Sequence, residues 1–272
     1  MHLGKKIRAE RLFNRRTGRA VIVPMDHGVT DGPIQGLADM REAVSQAAQG
    51  GADAVLMHKG LVPCSHRGSG PDVGLIVHLS ASTSLSLHAN SKTLVGSVLE
   101  AVRLGADGVS VHVNLGDDDE KSMLASLGRI AREAEDYGMP LLAMVYARGP
   151  HISNSHDPAV VAHCARVGGE LGADVVKVAY TGSAESFAKV VSGSCVPVII
   201  AGGVKVDDTQ AVLQMVYDSL LAGGSGVSIG RNVFQHEQPR SLLRALRGLV
   251  HEGWSVEQGV VVATGMGEFD RV

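Results

Sequence analysis

A three-residue tag recurs along the chain. It reads Gly51-Ala52-Asp53, Gly105-Ala106-Asp107 and Gly172-Ala173-Asp174, and returns in degenerate form as Gly223-Gly224-Ser225. Most copies end a stretch with the 3.6-residue spacing of a helix, and each precedes a short apolar run rich in β-branched residues. A glycine at that point supplies the φ > 0 residue that closes a helix before the chain turns into a strand. A helix–glycine–strand unit repeated at recurring intervals constrains the fold strongly. It predicts alternating β and α elements around a parallel sheet, because only buried parallel strands read as near-continuous apolar runs.

Eight such runs can be marked: residues 20–25, 53–58, 75–79, 108–113, 141–146, 174–179, 196–201 and 226–230. Helical spacing falls between them over 39–49, 92–104, 120–137, 158–171, 183–191 and 207–221. No linker, low-complexity stretch or charge run divides the 272 residues. The expectation is an α/β fold in which residues 1–272 form a single (β/α)8 barrel domain. A short N-terminal segment would precede the first strand, and an extra helix would follow from about Pro239. Hydrophobic residues make up 44% of the chain, with only 4 Phe, 4 Tyr and 1 Trp, so Ala, Val, Leu and Ile must fill the core.

Charge and composition narrow the class of partner. A net charge of -3 lacks the basic stripe of an electrostatic nucleic-acid binder. No apolar run reaches 18 residues, and the basic start lacks the apolar stretch of a signal peptide, so no membrane partner is expected. Cys64, Cys164 and Cys195 are far apart and form no CxxC, which fits a reduced, cytoplasmic setting.

Barrels of this kind place their sites at the C-terminal ends of the strands, so the residues closing each strand carry the functional reading. Lys177 interrupts the apolar run 174–180; alternation puts it on one face with Val175 and Ala179. Burial lowers a lysine pKa, and a neutral amine there is the nucleophile that forms a Schiff base with a ketone. The plainer reading is a lysine paired structurally with a carboxylate. Lys59 and Lys205 are rivals at strand or loop ends, where solvent keeps an amine charged. Tyr146 closes the fifth run and can donate to an alkoxide, or simply be an amphipathic rim residue. Asp26 closes the first and can handle proton transfers, or cap the following loop. Gly202, Gly203, Gly230 and Arg231 follow the seventh and eighth runs, the usual phosphate site of this fold. His58, His78 and His112 lie in successive runs, but without tight metal-ligand spacing, so neither a metal nor another cofactor is expected.

Longer motifs carry a family resemblance over nearly the whole chain. Residues 23–28 (VPMDHG), 78–84 (HLSASTS), 110–114 (SVHVN), 176–182 (VKVAYTG) and 230–236 (GRNVFQH) resemble the Schiff-base (class I) aldolase family. That family includes 2-amino-3,7-dideoxy-D-threo-hept-6-ulosonate synthase, archaeal fructose-bisphosphate aldolase and an actinomycete aldolase of aminohydroxybenzoate biosynthesis. The resemblance implies an imine-forming Lys177, a proton-donating Tyr146 and a catalytic Asp26. It also implies substrate contacts at His27, Gly28, Val29, Thr30, Ala147 and Arg148, and at Gly202-Gly203 and Gly230-Arg231, in a homo-oligomeric enzyme. The reaction implied joins L-aspartate 4-semialdehyde to dihydroxyacetone phosphate, giving a seven-carbon amino-keto acid phosphate. Alternatives are the transaldolase-type synthase with a 1-deoxy-hexo-2,5-diulose 6-phosphate donor, a fructose-bisphosphate aldolase, an autoinducer-processing thiolase, and a non-catalytic phosphosugar-binding barrel. The family often has Pro where this chain has Ala147 and Thr-Ser where it has Val178-Ala179.

Overall fold

A computed structural model describes residues 2–65 and 70–265. Eight parallel strands close into a barrel: β1 (Ala20–Pro24), β2 (Ala54–His58), β3 (Gly74–His78), β4 (Gly108–Leu115), β5 (Leu141–Ala147), β6 (Val175–Val178), β7 (Val198–Ala201) and β8 (Gly226–Ser228). Every strand pairs with its neighbours in sequence, and β8 returns to β1 with Ala20 opposite Gly226. Each of the eight apolar runs overlaps one of these strands, although the third, fourth and fifth strands reach one or two residues outside their runs. The four tag glycines, Gly51, Gly105, Gly172 and Gly223, all sit at positive φ between 76° and 100°.

Strand alternation sorts the apolar residues into two cores. Val21, Val23, Val55, Val77, Val109, Val176, Val178 and Val227 point outward against the surrounding helices. Ile22, Leu56, Ile76, Met144, Val175 and Ile199 fill the barrel with the help of Leu12, which enters from the N-terminal end. Leu12 fits because β3 and β4 open on glycines. A Cβ at Gly108 would stand 2.8 Å from its Cδ1, and one at Gly74 only 2.6 Å from the Arg11 carbonyl oxygen. The N-terminal segment is therefore a floor to the barrel, and it holds a helix of its own (Leu3–Ala9).

The tag aspartates stitch the strands together. Asp53 accepts from Val21 N at 2.7 Å, Asp107 from Leu75 N at 3.0 Å and Asp174 from Leu141 N at 2.9 Å. β2, β4 and β6 thus each open with a carboxylate bound to the strand before. A terminal segment then supplies a partner to each carboxylate: His251 to Asp53 (2.9 Å), Arg11 to Asp107 (2.6 Å) and Lys5 to Asp174 (3.0 Å).

Two expectations need correction. Residues 92–104 are not one helix: Thr93–Leu94 pairs antiparallel with Ser80–Ala81, and the helix runs only over Val98–Arg103. Its start is set by a capping box, in which Ser97 and Glu100 satisfy each other's backbone N–H groups. The single C-terminal helix is in fact two, Pro239–Arg247 and Val256–Ala263, joined through a π-type turn and by Gly253 at φ 73°. Among the described residues no helix is long and apolar enough to cross a membrane.

Asp107→Ala removes the acceptor of a buried strand N–H together with an ion-pair partner of Arg11. Leaving that N–H unpaired costs about 2 kcal/mol, a fall in Tm of roughly 4–8 °C for a domain of this size. Thermal and urea denaturation will measure it, and Asp107→Asn, which keeps a carbonyl acceptor, will lose less.

Candidate active site

The C-terminal ends of the strands converge on Lys177. It stands inside β6, 6% exposed, in register with Met144 of β5 and Ile199 of β7. Asp26 follows β1 at the N-cap position of a short helix (His27–Asp31), yet its side chain makes no capping hydrogen bond. The carboxylate is left for the barrel mouth. It lies 3.8 Å from His78 Nε2 and acts electrostatically on Lys177. Tyr146, at the end of β5, has its ring 5.1 Å from that of His112, and the Arg148 guanidinium lies 4.6 Å over the same ring.

Burial decides the charges. It drives the Lys177 pKa down to about 8, against the pull of Asp26 in the other direction, with Arg148 and Arg231 adding to the fall. Burial alone would raise the Asp26 carboxyl, but His78, His27 and Lys177 outweigh it and hold that group well below the usual carboxylate range. His78 itself is pushed to about 4 by burial, so at neutral pH it is uncharged and Lys177 is the cation that faces Asp26. Burial raises the Tyr146 phenol far above its usual value, so it keeps its proton.

The β7 and β8 ends form a second cluster. Gly203 sits at φ 69° with open space where a Cβ would be, and the short helix Arg231–Phe234 begins after Gly230. Gly202 and Gly230 permit close packing: a Cβ on either would come within 2.7 Å of Ile229 or of His27 and the Pro24 carbonyl. Arg231 donates to Gly203 O at 3.1 Å. His27 Nδ1, Ser228 Oγ and Arg231 Nε are buried here without hydrogen-bond partners. Unpartnered buried donors gathered at one rim are the mark of a site that a ligand completes.

The structure brings Asp26, His27, Tyr146, Arg148, Lys177 and Arg231 within electrostatic reach of one another. Gly28 and Val29 lie on exposed turns of the short helix, and the Thr30 carbonyl accepts from both Ser84 N and Ser84 Oγ. Ala147 corrects an expectation. Its methyl group packs in the outer core, away from the mouth, because β5 alternation turns it opposite to Tyr146. Ala179 likewise lies beyond the end of β6 and packs against that outer core rather than beside Lys177. The rival amines are committed elsewhere, Lys59 to Glu100 at 2.6 Å and Lys205 to Asp207 at 3.2 Å.

Sequence reasoning missed three groups. Asn232, buried, donates to Gly202 O (2.8 Å) and Val204 O (3.0 Å) and accepts from Val206 N (2.7 Å), so one side chain shapes the β7 loop. His78 is held by Ser110 at 2.7 Å beside Asp26. Lys92 reaches the mouth from the hairpin after β3, and its charge acts on His58, His78 and His112. The polar residues inside runs 75–79 and 108–113 were the available signal for His78 and Ser110; nothing local marked Lys92. Among the described residues no three His, Cys, Asp or Glu side chains converge to hold a metal ion.

An amine sunk into the C-terminal mouth of a closed (β/α)8 barrel, beside a carboxylate and a phenol, defines an enzyme of the aldolase class. Residues 20–236 match the family model for DeoC/LacD family aldolases, and the chain belongs to that family. It is 45% identical over 249 residues to 2-amino-3,7-dideoxy-D-threo-hept-6-ulosonate synthase of Halobacterium salinarum, covering 92% of each chain. It is 41% identical over 251 residues to 2-amino-4,5-dihydroxy-6-oxo-7-(phosphonooxy)heptanoate synthase of Streptomyces griseus, covering 91% of this chain and 90% of that one. The structure of an archaeal fructose-1,6-bisphosphate aldolase, with its catalytic lysine covalently bound to a carbinolamine, superposes with a TM-score of 0.84 at 33% identity. That match spans 90% of this chain and 99% of the other.

A pKa near 8 makes Lys177 nucleophilic earlier in a titration than an ordinary lysine. A small amine-directed reagent, followed by peptide mass mapping, will modify Lys177 with a half-maximal rate near pH 8. Modification that rises only near pH 10 would contradict the burial argument.

Proposed function

We propose that residues 1–272 act as one class I aldolase domain that joins L-aspartate 4-semialdehyde to dihydroxyacetone phosphate through an imine on Lys177. The observation that carries the reading is the buried Lys177 amine, with a pKa near 8, facing an ionised Asp26 and a protonated Tyr146. Lys177 Nζ attacks the donor carbonyl carbon; the carbinolamine loses water to an iminium, and loss of the adjacent C–H proton gives an enamine. The enamine carbon attacks the aldehyde, Tyr146 protonates the new alkoxide, and hydrolysis returns the ketone and the free amine. Asp26 carries protons to and from the carbinolamine oxygen. Gly202, Gly203, Gly230 and Arg231 hold the donor phosphate, a role supported by the unpartnered Arg231 Nε and the open Gly203 backbone.

The name of the Streptomyces griseus relative fits this chemistry carbon by carbon. Its amino acid end and 4-hydroxyl correspond to aspartate semialdehyde; its 5-hydroxyl, 6-oxo and 7-phosphonooxy groups correspond to dihydroxyacetone phosphate. A second reading is favoured by the 45% identity to the Halobacterium salinarum synthase. There the same lysine would cleave 1-deoxy-hexo-2,5-diulose 6-phosphate and pass the methyl-ketone enamine to the same aldehyde.

Borohydride added with dihydroxyacetone phosphate will trap an adduct at Lys177, faster as pH rises through about 8 because only the unprotonated amine attacks. Lys177→Ala will give neither adduct nor turnover; turnover without it sinks the mechanism. Tyr146→Phe will still trap the donor but lose roughly 10²–10⁴-fold in kcat. Product mass with each donor separates the two readings, since only dihydroxyacetone phosphate yields a phosphorylated seven-carbon product.

A further inference from the structure

The mouth of the barrel has two cationic poles. Arg231 stands over β7 and β8; Lys92 and Arg148 stand across from it, over β3 to β5. The chemistry above leaves the second pole unused, although Lys92 is held with care. Ser80 pairs with Leu94 and Ala81 with Thr93, so residues 82–92 leave β3 and return as a closed loop at the mouth. The return is anchored from β4: Asn114, fully buried, donates to Asn90 O at 2.7 Å while bonded to His112 Nε2 at 2.9 Å. Ser91 Oγ donates to Asp117 at 2.8 Å. The backbone entering Lys92 is thereby fixed on both sides.

Lys92 Nζ donates to Ser82 Oγ across the neck of the loop, and among the described residues no carboxylate pairs with it. Burial pushes its pKa down and the Arg148 charge adds to that, while Asp26 and Asp31 pull the other way. Arg148, over the Tyr146 ring, is exposed and likewise has no ion-pair partner among the described residues. Two like charges near each other, with no carboxylate in ion-pair contact with either, repel one another. An anionic ligand group would neutralise both, and the phenol that protonates the nascent alkoxide lies directly under Arg148.

We propose that Lys92 and Arg148 clamp the α-carboxylate of the acceptor aldehyde, with Asp31 as the counter-charge for its α-ammonium group. Asp31 is placed for this: Ser84 of the same loop donates to the carbonyl of Thr30, the residue before it, which sets the exposed Asp31 beside the loop that ends in Lys92. The donor phosphate and the acceptor head group are then bound at opposite rims, and the aldehyde lies between them above Lys177. The acceptor class follows: an aldehyde carrying an α-amino acid head is selected over a neutral one. The inference rests on the proposed aldol reaction and adds the residues that choose its second substrate.

The test compares L-aspartate 4-semialdehyde with propanal as acceptors, using dihydroxyacetone phosphate as donor. In Lys92→Met the KM for aspartate semialdehyde will rise on the order of 10–100-fold, the loss of a charge-assisted hydrogen bond. The KM for propanal will stay within about twofold, and Lys92→Arg will restore most of the affinity for the semialdehyde. Should Lys92→Met not fold, Arg148→Gln serves instead: the KM for aspartate semialdehyde will rise more than that for propanal, over and above any common change from its charge beside Lys177 and Tyr146. Equal rises for both acceptors, or no rise in either variant, overturn the clamp. Wild-type enzyme is tested in parallel for a borohydride-trapped donor adduct. With an adduct present, an unselective result removes the clamp alone; without one, the aldol reading and the clamp fall together.

Discussion

The barrel depends on a carboxylate placed at the start of every second strand through β6. A closed parallel barrel leaves unpaired backbone N–H groups at its N-terminal rim, and buried ones are costly. Asp53, Asp107 and Asp174 satisfy one such group each on the preceding strand. A carboxylate in that position needs a partner of its own, and His251, Arg11 and Lys5 reach in from the chain's two ends to provide it. The same tag that ends a helix thus fixes strand register and fastens both terminal segments to the floor. In the fourth copy Ser225 replaces the aspartate, and what remains is the backbone bond that all four tags make to the preceding strand, here Ser225 N to Val198 O at 2.8 Å.

With the floor closed by backbone and ions, the interior can be divided by height. Leu12, Ile22, Leu56 and Ile76 fill the lower barrel, while His78, Ser110, Asn114, Lys177 and Ser228 occupy its upper part. The apolar lower core adds to the desolvation of the polar groups above it. Desolvation is the largest influence on Lys177, Tyr146, His78 and Asp26 alike, and it moves the lysine and the phenol in opposite directions. The small side chains of the sequence serve this arrangement: valine and alanine pack the strand–helix layer closely enough to keep water out.

Much of this was legible in the chain because buried parallel strands leave a simple trace. The eight apolar runs and the tag glycines required only local reading. Lys177 stood out since an amine inside an apolar run has few explanations. Lys92 was illegible for a physical reason: its neighbours satisfy helical spacing over 92–104, and only tertiary pairing of Thr93 with Ala81 converts that stretch into a hairpin. The capping box at Ser97 and Glu100 was the local cue that a helix begins later. Ala147 misled in the opposite way, through adjacency to Tyr146 in sequence, although adjacent residues in a strand face opposite sides. Asn232 stands in the motif 230–236, but its role could not be read there, since its three bonds go to backbone atoms some thirty positions away.

The position of Asp26 settles how one buried amine serves at neutral pH. Left to desolvation alone, Lys177 would fall below 8 and be a poorer nucleophile for being less basic; exposed to water it would remain an ammonium. Asp26 opposes burial and holds the amine near the working range, where both forms are populated. That requires Asp26 to be ionised and uncommitted, and the structure meets both conditions. The Lys177 charge favours its ionised form, and its side chain makes no capping bond because Asp26 has an αR backbone (φ -82°, ψ -1°) rather than the extended conformation of the capped Ser97.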